Sequence, residues 1–373
     1  MKASRCLIIS PLAHAATIAF FQEFLSHLQK TGWEIHLIQC ANSVPLYNEF
    51  VSSKLTTLYF DDSGFKRNFK LGIAREVKNL KALKFGFVAG LSQYGLAYAY
   101  LAGLYFKCPA IYLNDELWES RSERGGLYSI KAYLIKWLEV FFSRRSALVV
   151  TQDEERAVVL QDLNGLGKDK IWLVPNVPSL EWSTLKPRQL LEKELITLQS
   201  IGSAPHADIV EELMKGISMM PKDVYVEFQR PRDIEDSHYR SIVEQSGRAK
   251  LLTQVFKTSA EFHQYVGTAD IGLVLYKRAT KNRNLMGKAS GKLNTYLIHG
   301  TPCIVTRLDG LKWLDRYGAV RFIDSFDELP LAMKYVRDHY AQMSLGCIDA
   351  STQELDISKA LAELMSFFDY DLT

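Results

Sequence analysis

A chain of 373 residues is longer than one hydrophobic core usually sustains, so two domains are expected. A hydrophobic content of 47% beside 23% charged residues excludes a disordered or fibrous chain, and five scattered cysteines, odd in number and without metal-ligand spacing, exclude a disulfide framework. The net charge of +3 hides an asymmetry: residues 1–175 carry 21 Lys and Arg against 16 Asp and Glu, the remainder 24 against 26. The basic excess gathers between Lys66 and Lys84, where Glu76 is the lone acid. Such a run is either a solvated helix face or a surface for an anionic partner.

Cys6–Ser10 reads as a first strand, Ile18–Leu28 as an amphipathic helix ending at Thr31-Gly32, and Trp33–Gln39 as a second strand. That β–loop–α–β opening predicts a doubly wound α/β fold. The apolar run behind Met1 is broken by Pro11 and His14, so no signal peptide is expected; the unpaired cysteines suit a reducing cytosol. The loop after the first strand places His14 where such folds bind ligands. Residues 85–106 carry only Lys84 and Lys107 as flanking charges, a length that matches a membrane span, yet glycines and Ser92-Gln93 interrupt it. A strand over Phe85–Leu91, a turn and a helix over Leu96–Phe106 are predicted instead, leading to a strand at Ala110–Leu113. Asp115 and Glu116 follow at the carboxyl end of that strand, as sugar ligands, as a base, or as a helix cap and its first-turn acid. Ser129–Phe142 is an aromatic helix with Arg144 and Arg145 beside it, of the kind that lies on a membrane or packs in a core.

Strands at Ala147–Thr151 and Ile171–Val174 close the first half at Pro175-Asn176, and the polar stretch Pro178–Glu194 is the linker. The second half repeats the pattern. A strand from Leu195 ends in the small turn Ile201-Gly202-Ser203, a helix runs through Met214, and Val224–Phe228 is a strand running into Arg230. Phe256–Val266 is helical, and Ile271–Leu275 is a strand that meets the basic loop Tyr276–Asn284, with Arg283 in it. Ala289–Thr306 then concentrates the chemistry. Ser290 and Gly291 open a helix, Lys292 stands in its first turn, and Leu293, Tyr296 and Leu297 form its buried face. Gly300 ends it, and Cys303–Val305 is a buried strand. A helix N-terminus with free N–H groups and a lysine suits a phosphate or pyrophosphate.

These marks, in this order, resemble GT-B glycosyltransferases: Ser290-Gly-Lys-Leu, Tyr296-Leu and Gly300-Thr-Pro-Cys-Ile-Val resemble their donor site, Val174-Pro-Asn-Val the close of their first domain, Ile201-Gly-Ser the glycine turn of their second, and Asp115-Glu-Leu-Trp their histidine–glutamate segment. The resemblance implies two facing Rossmann-like domains with a cleft between them: an acceptor domain over 1–178, a nucleotide-sugar donor domain over 179–350, and a terminal helix over 351–373 packing back on the first. It implies transfer of a hexose-type sugar from a UDP-linked donor to a glycan, lipid-linked or protein-borne acceptor. The donor set would comprise Gly202, Ser203, Arg230, Tyr276, Arg283, Asn284, Ser290, Gly291, Lys292 and Thr295, the catalytic set Asp115, Glu116 and His14. No cofactor and no metal are expected, Asp369-Tyr-Asp371 being the sole Asp-x-Asp; nor is nucleic acid. Placement is expected to be cytoplasmic, with peripheral contact to the inner face of the membrane.

The departures are equally legible. The two glutamates that retaining members carry eight positions apart are replaced by Gly287 and Thr295, the segment histidine by Asp115, and the glycine pair after the first strand is missing. Two other readings therefore stand beside transfer: a nucleotide-sugar 2-epimerase and a non-catalytic sugar-nucleotide binder.

Overall fold

The computed structural model describes residues 5–12, 15–40, 45–60, 67–118, 126–183, 186–190, 195–202, 207–230, 237–276 and 280–370. It divides into two units, Met1–Asn176 with Ile357–Thr373, and Val177–Asp356.

In the first unit β1 (Arg5–Ser10) leads through α1 (Ala19–Lys30) to β2 (Glu34–Cys40), then β3 (Leu55–Phe60), α2 (Arg67–Asn79) and β4 (Phe87–Leu91). The chain continues through α3 (Ser92–Phe106), β5 (Ala110–Leu113), α4 (Gly126–Ser143), β6 (Leu148–Thr151), α5 (Glu154–Asn164) and β7 (Ile171–Leu173). Among the described residues these strands form a parallel sheet in the order β3-β2-β1-β4-β5-β6-β7. Strand order reverses between β1 and β4, which opens a crevice at their carboxyl ends. Leu7, Ile9, Ile38, Val88 and Phe60 are buried under α2 and α3: Ile73 of α2, Leu80 just behind it, and Ala99 and Ala102 of α3 cover that face.

The second unit repeats the scheme with β8 (Ile196–Ser200), α6 (Ala207–Ser218), β9 (Val224–Gln229), α7 (Ser237–Gln245), β10 (Ala249–Leu252), α8 (Ser259–Val266) and β11 (Ile271–Val274). Then come α9 (Lys281–Asn284), α10 (Gly291–Ile298), β12 (Cys303–Thr306), β13 (Val320–Ile323), α11 (Leu329–Asp338) and α12 (Tyr340–Glu354). Its parallel sheet runs β10-β9-β8-β11-β12-β13, reversing between β8 and β11. Leu198, Val226, Phe228, Leu273 and Ile304 form its core with Leu213, Leu329 and Met333. A last helix, α13 (Ile357–Tyr370), belongs to the first unit, where Phe368 stacks on Phe87 at 4.6 Å and Phe367 meets Trp172 at 6.0 Å.

Three local differences from the sequence reading have physical causes. The turn expected before Leu96 does not exist: α3 starts at Ser92, whose positive φ of 65° alone redirects the chain. The alternative in which Asn114–Trp118 begins a helix is not realised: none of these five residues is helical. The strands β3 and β10 escape the hydropathy pattern because they are sheet edges, where exposed residues dilute the apolar run. Residues 85–106 are β4 and α3, and among the described residues no helix is long and apolar enough to cross a membrane.

Candidate functional site

In the second unit the carboxyl ends of β8, β9, β11 and β12 converge with the start of α10. The Ser290 side chain caps that helix, its Oγ accepting from the N–H of Leu293 at 3.4 Å. Tyr276, two residues beyond β11, shares a hydrogen bond of 2.7 Å with the same Oγ, and its own N–H donates to Thr306 Oγ1 at 3.3 Å. One tyrosine thus ties the ends of β11 and β12 to the N-terminus of α10. Lys292 lies with its Nζ 5.3 Å from the centre of the Tyr276 ring, within cation–π range. Loss of water around its ammonium, and then the positive field of Arg230, push the Lys292 pKa down to about 7. Gly202, at the end of β8, has φ of +82° with nothing within 4 Å of where a Cβ would stand, so the turn leaves open space at the strand end.

The other residues of the expected donor set have different tasks. Arg230 is buried at 2% exposure: its Nη1 donates to the carbonyls of Ser200 at 2.8 Å and Gln229 at 2.6 Å, and its Nη2 reaches Ser200 Oγ and Tyr239 OH, each at 3.4 Å. It fastens the ends of β8 and β9 and acts on Lys292 through its charge. Thr295 is buried with its hydroxyl donating to the Gly291 carbonyl at 2.7 Å, a bond within α10. Asn284 and Asp309 bond reciprocally, Nδ2 to Oδ2 at 2.6 Å and the Asp309 N–H to Oδ1 at 3.2 Å, which fixes the loop after β11 to the one after β12. Arg283 sits in α9, its N–H held by the Thr280 hydroxyl at 3.2 Å. Lys288, just before α10, is paired with Glu354 at 2.9 Å. Ser203 lies outside the described residues, as does His14.

In the first unit the carboxyl edge is acidic. Asp115 follows β5, and burial, with the neighbouring Glu116 adding, pushes its carboxyl up to about 7. Its Oδ1 is buried without a hydrogen-bond partner. Glu116 is exposed. Behind the pair lies a buried network. Asn114 donates through Nδ2 to Tyr112 OH and to the Glu116 carbonyl, each at 2.9 Å. Tyr112 OH donates to Glu139 Oε1 at 2.8 Å, and Lys136 Nζ pairs with Glu139 Oε2 at 2.9 Å. Arg156, fully buried, donates to the Asp115 carbonyl at 3.1 Å, and Gln152 Nε2 donates to the Asn114 carbonyl. This scaffold holds the Asn114–Glu116 backbone and leaves Asp115 Oδ1 without a hydrogen-bond partner. The sequence reading does not single out Arg156, Gln152 or Glu139. Its available signal is Asp153-Glu-Glu-Arg156 directly after β6, a capped helix start in which Asp153 accepts from the Arg156 N–H at 2.9 Å.

Neither a family model nor a curated protein sequence matches the chain. Solved structures do. Anabaena HepE, determined in complex with UDP and glucose, aligns over 98% of this chain and 99% of its own at a TM-score of 0.65 and 10% identity. Sucrose-phosphate synthase from Thermosynechococcus elongatus aligns over 98% of both chains at 0.72 and 12%. The fold is GT-B. A UDP-N-acetylglucosamine 2-epimerase shares it, over 100% of this chain and 98% of its own, at 0.64 and 13%. Within this GT-B chain the group suited to an anion, Lys292, is in the second unit, and the acid shifted towards neutrality, Asp115, is in the first.

Proposed function

We propose that the protein is a glycosyltransferase that moves a hexose-type sugar from a nucleotide-sugar, UDP-linked, to a hydroxyl of a glycan, lipid-linked or protein-borne acceptor, without a metal ion. The observation that carries this reading is Lys292 in the first turn of α10, at the switch point between β8 and β11, its pKa pushed down to about 7 by burial and then by Arg230. HepE and sucrose-phosphate synthase lend it support through the shared fold, and UDP is the ligand named for HepE.

In the proposed reaction the acceptor oxygen bonds to the anomeric carbon while the bond from that carbon to the diphosphate oxygen breaks. Charge grows on the departing diphosphate. Lys292 and the N–H groups that open α10 stabilise it there, which is the largest electrostatic demand of the step. Tyr276 holds Ser290 and so the helix start, Arg230 braces the strand ends from below, and Gly202 keeps the turn after β8 clear of side chain. Asp115, with a pKa near the working pH, takes the proton of the acceptor hydroxyl if the configuration inverts. Gly287 and Thr295, where the retaining pattern carries glutamates, favour that assignment.

The matching epimerase fold supports a second reading, in which Asp115 moves a proton on the sugar itself. Incubation with a panel of UDP-, GDP- and ADP-sugars separates the two. Release of nucleoside diphosphate with transfer or hydrolysis supports the transferase, a C2-epimerised sugar nucleotide supports the epimerase, and binding without turnover rejects both.

A further inference from the structure

The first unit presents an outward surface that its own core does not use. On α4 the side chains of Ile130, Tyr133, Leu134, Trp137 and Leu138 are exposed, Tyr133 at 61% and Trp137 at 54%, at the i, i+3, i+4, i+7, i+8 spacing of one helix face. On neighbouring α3, Leu101, Leu104 and Tyr105 are exposed in the same way, Leu104 at 62%. The two helices lie side by side: Tyr100 packs on Phe142 at 5.2 Å, and Trp118, whose Nε1 donates to the Ala132 carbonyl at 3.1 Å, meets Tyr94 at 6.4 Å. Eight large apolar side chains on adjoining faces exceed the scattered exposure a soluble surface shows, and mark an interaction site.

Charge says what kind. Lys107, Lys131, Arg144 and Arg145 are exposed on or at the ends of these helices, with the Arg145 guanidinium 3.7 Å from the centre of the Phe141 ring. Helix α2 covers the same sheet face and adds exposed Arg75 and Lys78, with Lys81 and Lys84 in the segment behind it. Among the described side chains of α2, α3 and α4 the acids are Glu76 and Glu139, both buried and both ion-paired, with Arg75 at 3.1 Å and Lys136 at 2.9 Å. Among the described residues of α2, α3 and α4 the exposed charges beside this apolar face are therefore all basic, which attracts an anionic layer. We infer that the outward faces of α3 and α4 seat this protein on an anionic phospholipid surface, the apolar side chains entering the headgroup boundary and the basic rim resting on lipid phosphates. The sequence offers both the basic run at 66–84 and the aromatic helix Ser129–Phe142 for such a surface; the exposed side chains lie on α4 and add the outward face of α3, which the sequence reading does not include. The inference stands whether or not the donor reading holds.

Flotation of the full chain with vesicles of phosphatidylcholine, with and without phosphatidylglycerol, tests it. The protein should rise with the phosphatidylglycerol vesicles and less so as salt increases, since the rim charges are screened over about 10 Å at 0.1 M. Replacing Leu134 and Trp137 together by serine should weaken partitioning about tenfold or more without lowering the melting temperature, because both are already exposed. Lys131→Gln should weaken it about fivefold, the factor matching about 1 kcal/mol for each base near the surface. Failure to float at low salt overturns the inference, as does flotation of the Leu134, Trp137 double variant equal to that of the parent chain. A dimer in solution that the double variant turns into a monomer, with no flotation of either, assigns the face to a second copy and also overturns it.

Discussion

The carboxyl edge of the first sheet carries Asp115, an acid raised to about 7, and the corresponding edge of the second carries Lys292, a base lowered to about 7. Both shifts have the same leading cause. Removal of water disfavours whichever form is charged, so it raises an acid and lowers a base. What differs is the company each keeps: Glu116 opposes the charge of Asp115, whereas Arg230 opposes that of Lys292. Elsewhere buried charge is offset by an ion pair, as at Glu139 with Lys136 and at Lys288 with Glu354. A doubly wound sheet offers its strand ends at a crevice; two copies of that plan have been given opposite charges there, one suited to proton transfer and one to an anion.

Substitution at either strand edge tests its charge separately. Asp115→Asn keeps shape and the carbonyl that Arg156 holds, so folding should survive, while transfer falls by about 10²- to 10⁴-fold, the usual contribution of a positioned base. Steady-state rates beside UDP calorimetry check this: loss of rate with UDP affinity intact is expected, and an unchanged rate removes Asp115 from the mechanism. Lys292→Ala should weaken UDP binding by about 1.5–3 kcal/mol, the range for a hydrogen bond to a charged group. Equal affinity in that variant would falsify the assignment of the second edge.

The pH dependence sharpens the contrast within the second unit. The folded Lys292 releases its proton at about 7 and the unfolded one at 10.5, so the unfolded chain binds more protons between those values and this group makes stability rise with pH across that window. Binding of a diphosphate has the opposite sign, since it favours the cation. UDP affinity should fall as pH climbs above about 7, by up to about tenfold per unit, and binding near pH 8 should take up a proton. Calorimetry in buffers of different ionisation enthalpy measures that uptake, and zero uptake contradicts the Lys292 role. The smallest expected effect is that of a chelator. Lysine and helix N–H groups supply the positive charge, so turnover should persist in EDTA. Activity that EDTA abolishes and magnesium or manganese restores would replace this mechanism with a metal-assisted one.

Sequence by itself determined the parts whose causes are local. Alternating apolar runs and helical spacing set most strands and helices of both sheets, because the period of a buried face is written in adjacent residues. The glycine turn at Gly202, the small residues before Lys292 and the ordered marks across both halves were sufficient for the α/β, GT-B expectation. Tertiary structure alone decided how the expected site residues divide their tasks. Arg230 and Thr295 have the right chemistry for a donor site, yet Arg230 Nη1 is engaged by the Ser200 and Gln229 carbonyls and the Thr295 hydroxyl by the Gly291 carbonyl, and Ser200 reaches Arg230 only in the folded chain. The start of α3 at Ser92 could not be read either, since a positive φ at a serine is imposed by packing and not by propensity. Nor could the surface of α3 and α4: Leu101 or Trp137 looks like core in a hydropathy pattern, and whether anything covers it depends on which helix face the rest of the unit leaves outside.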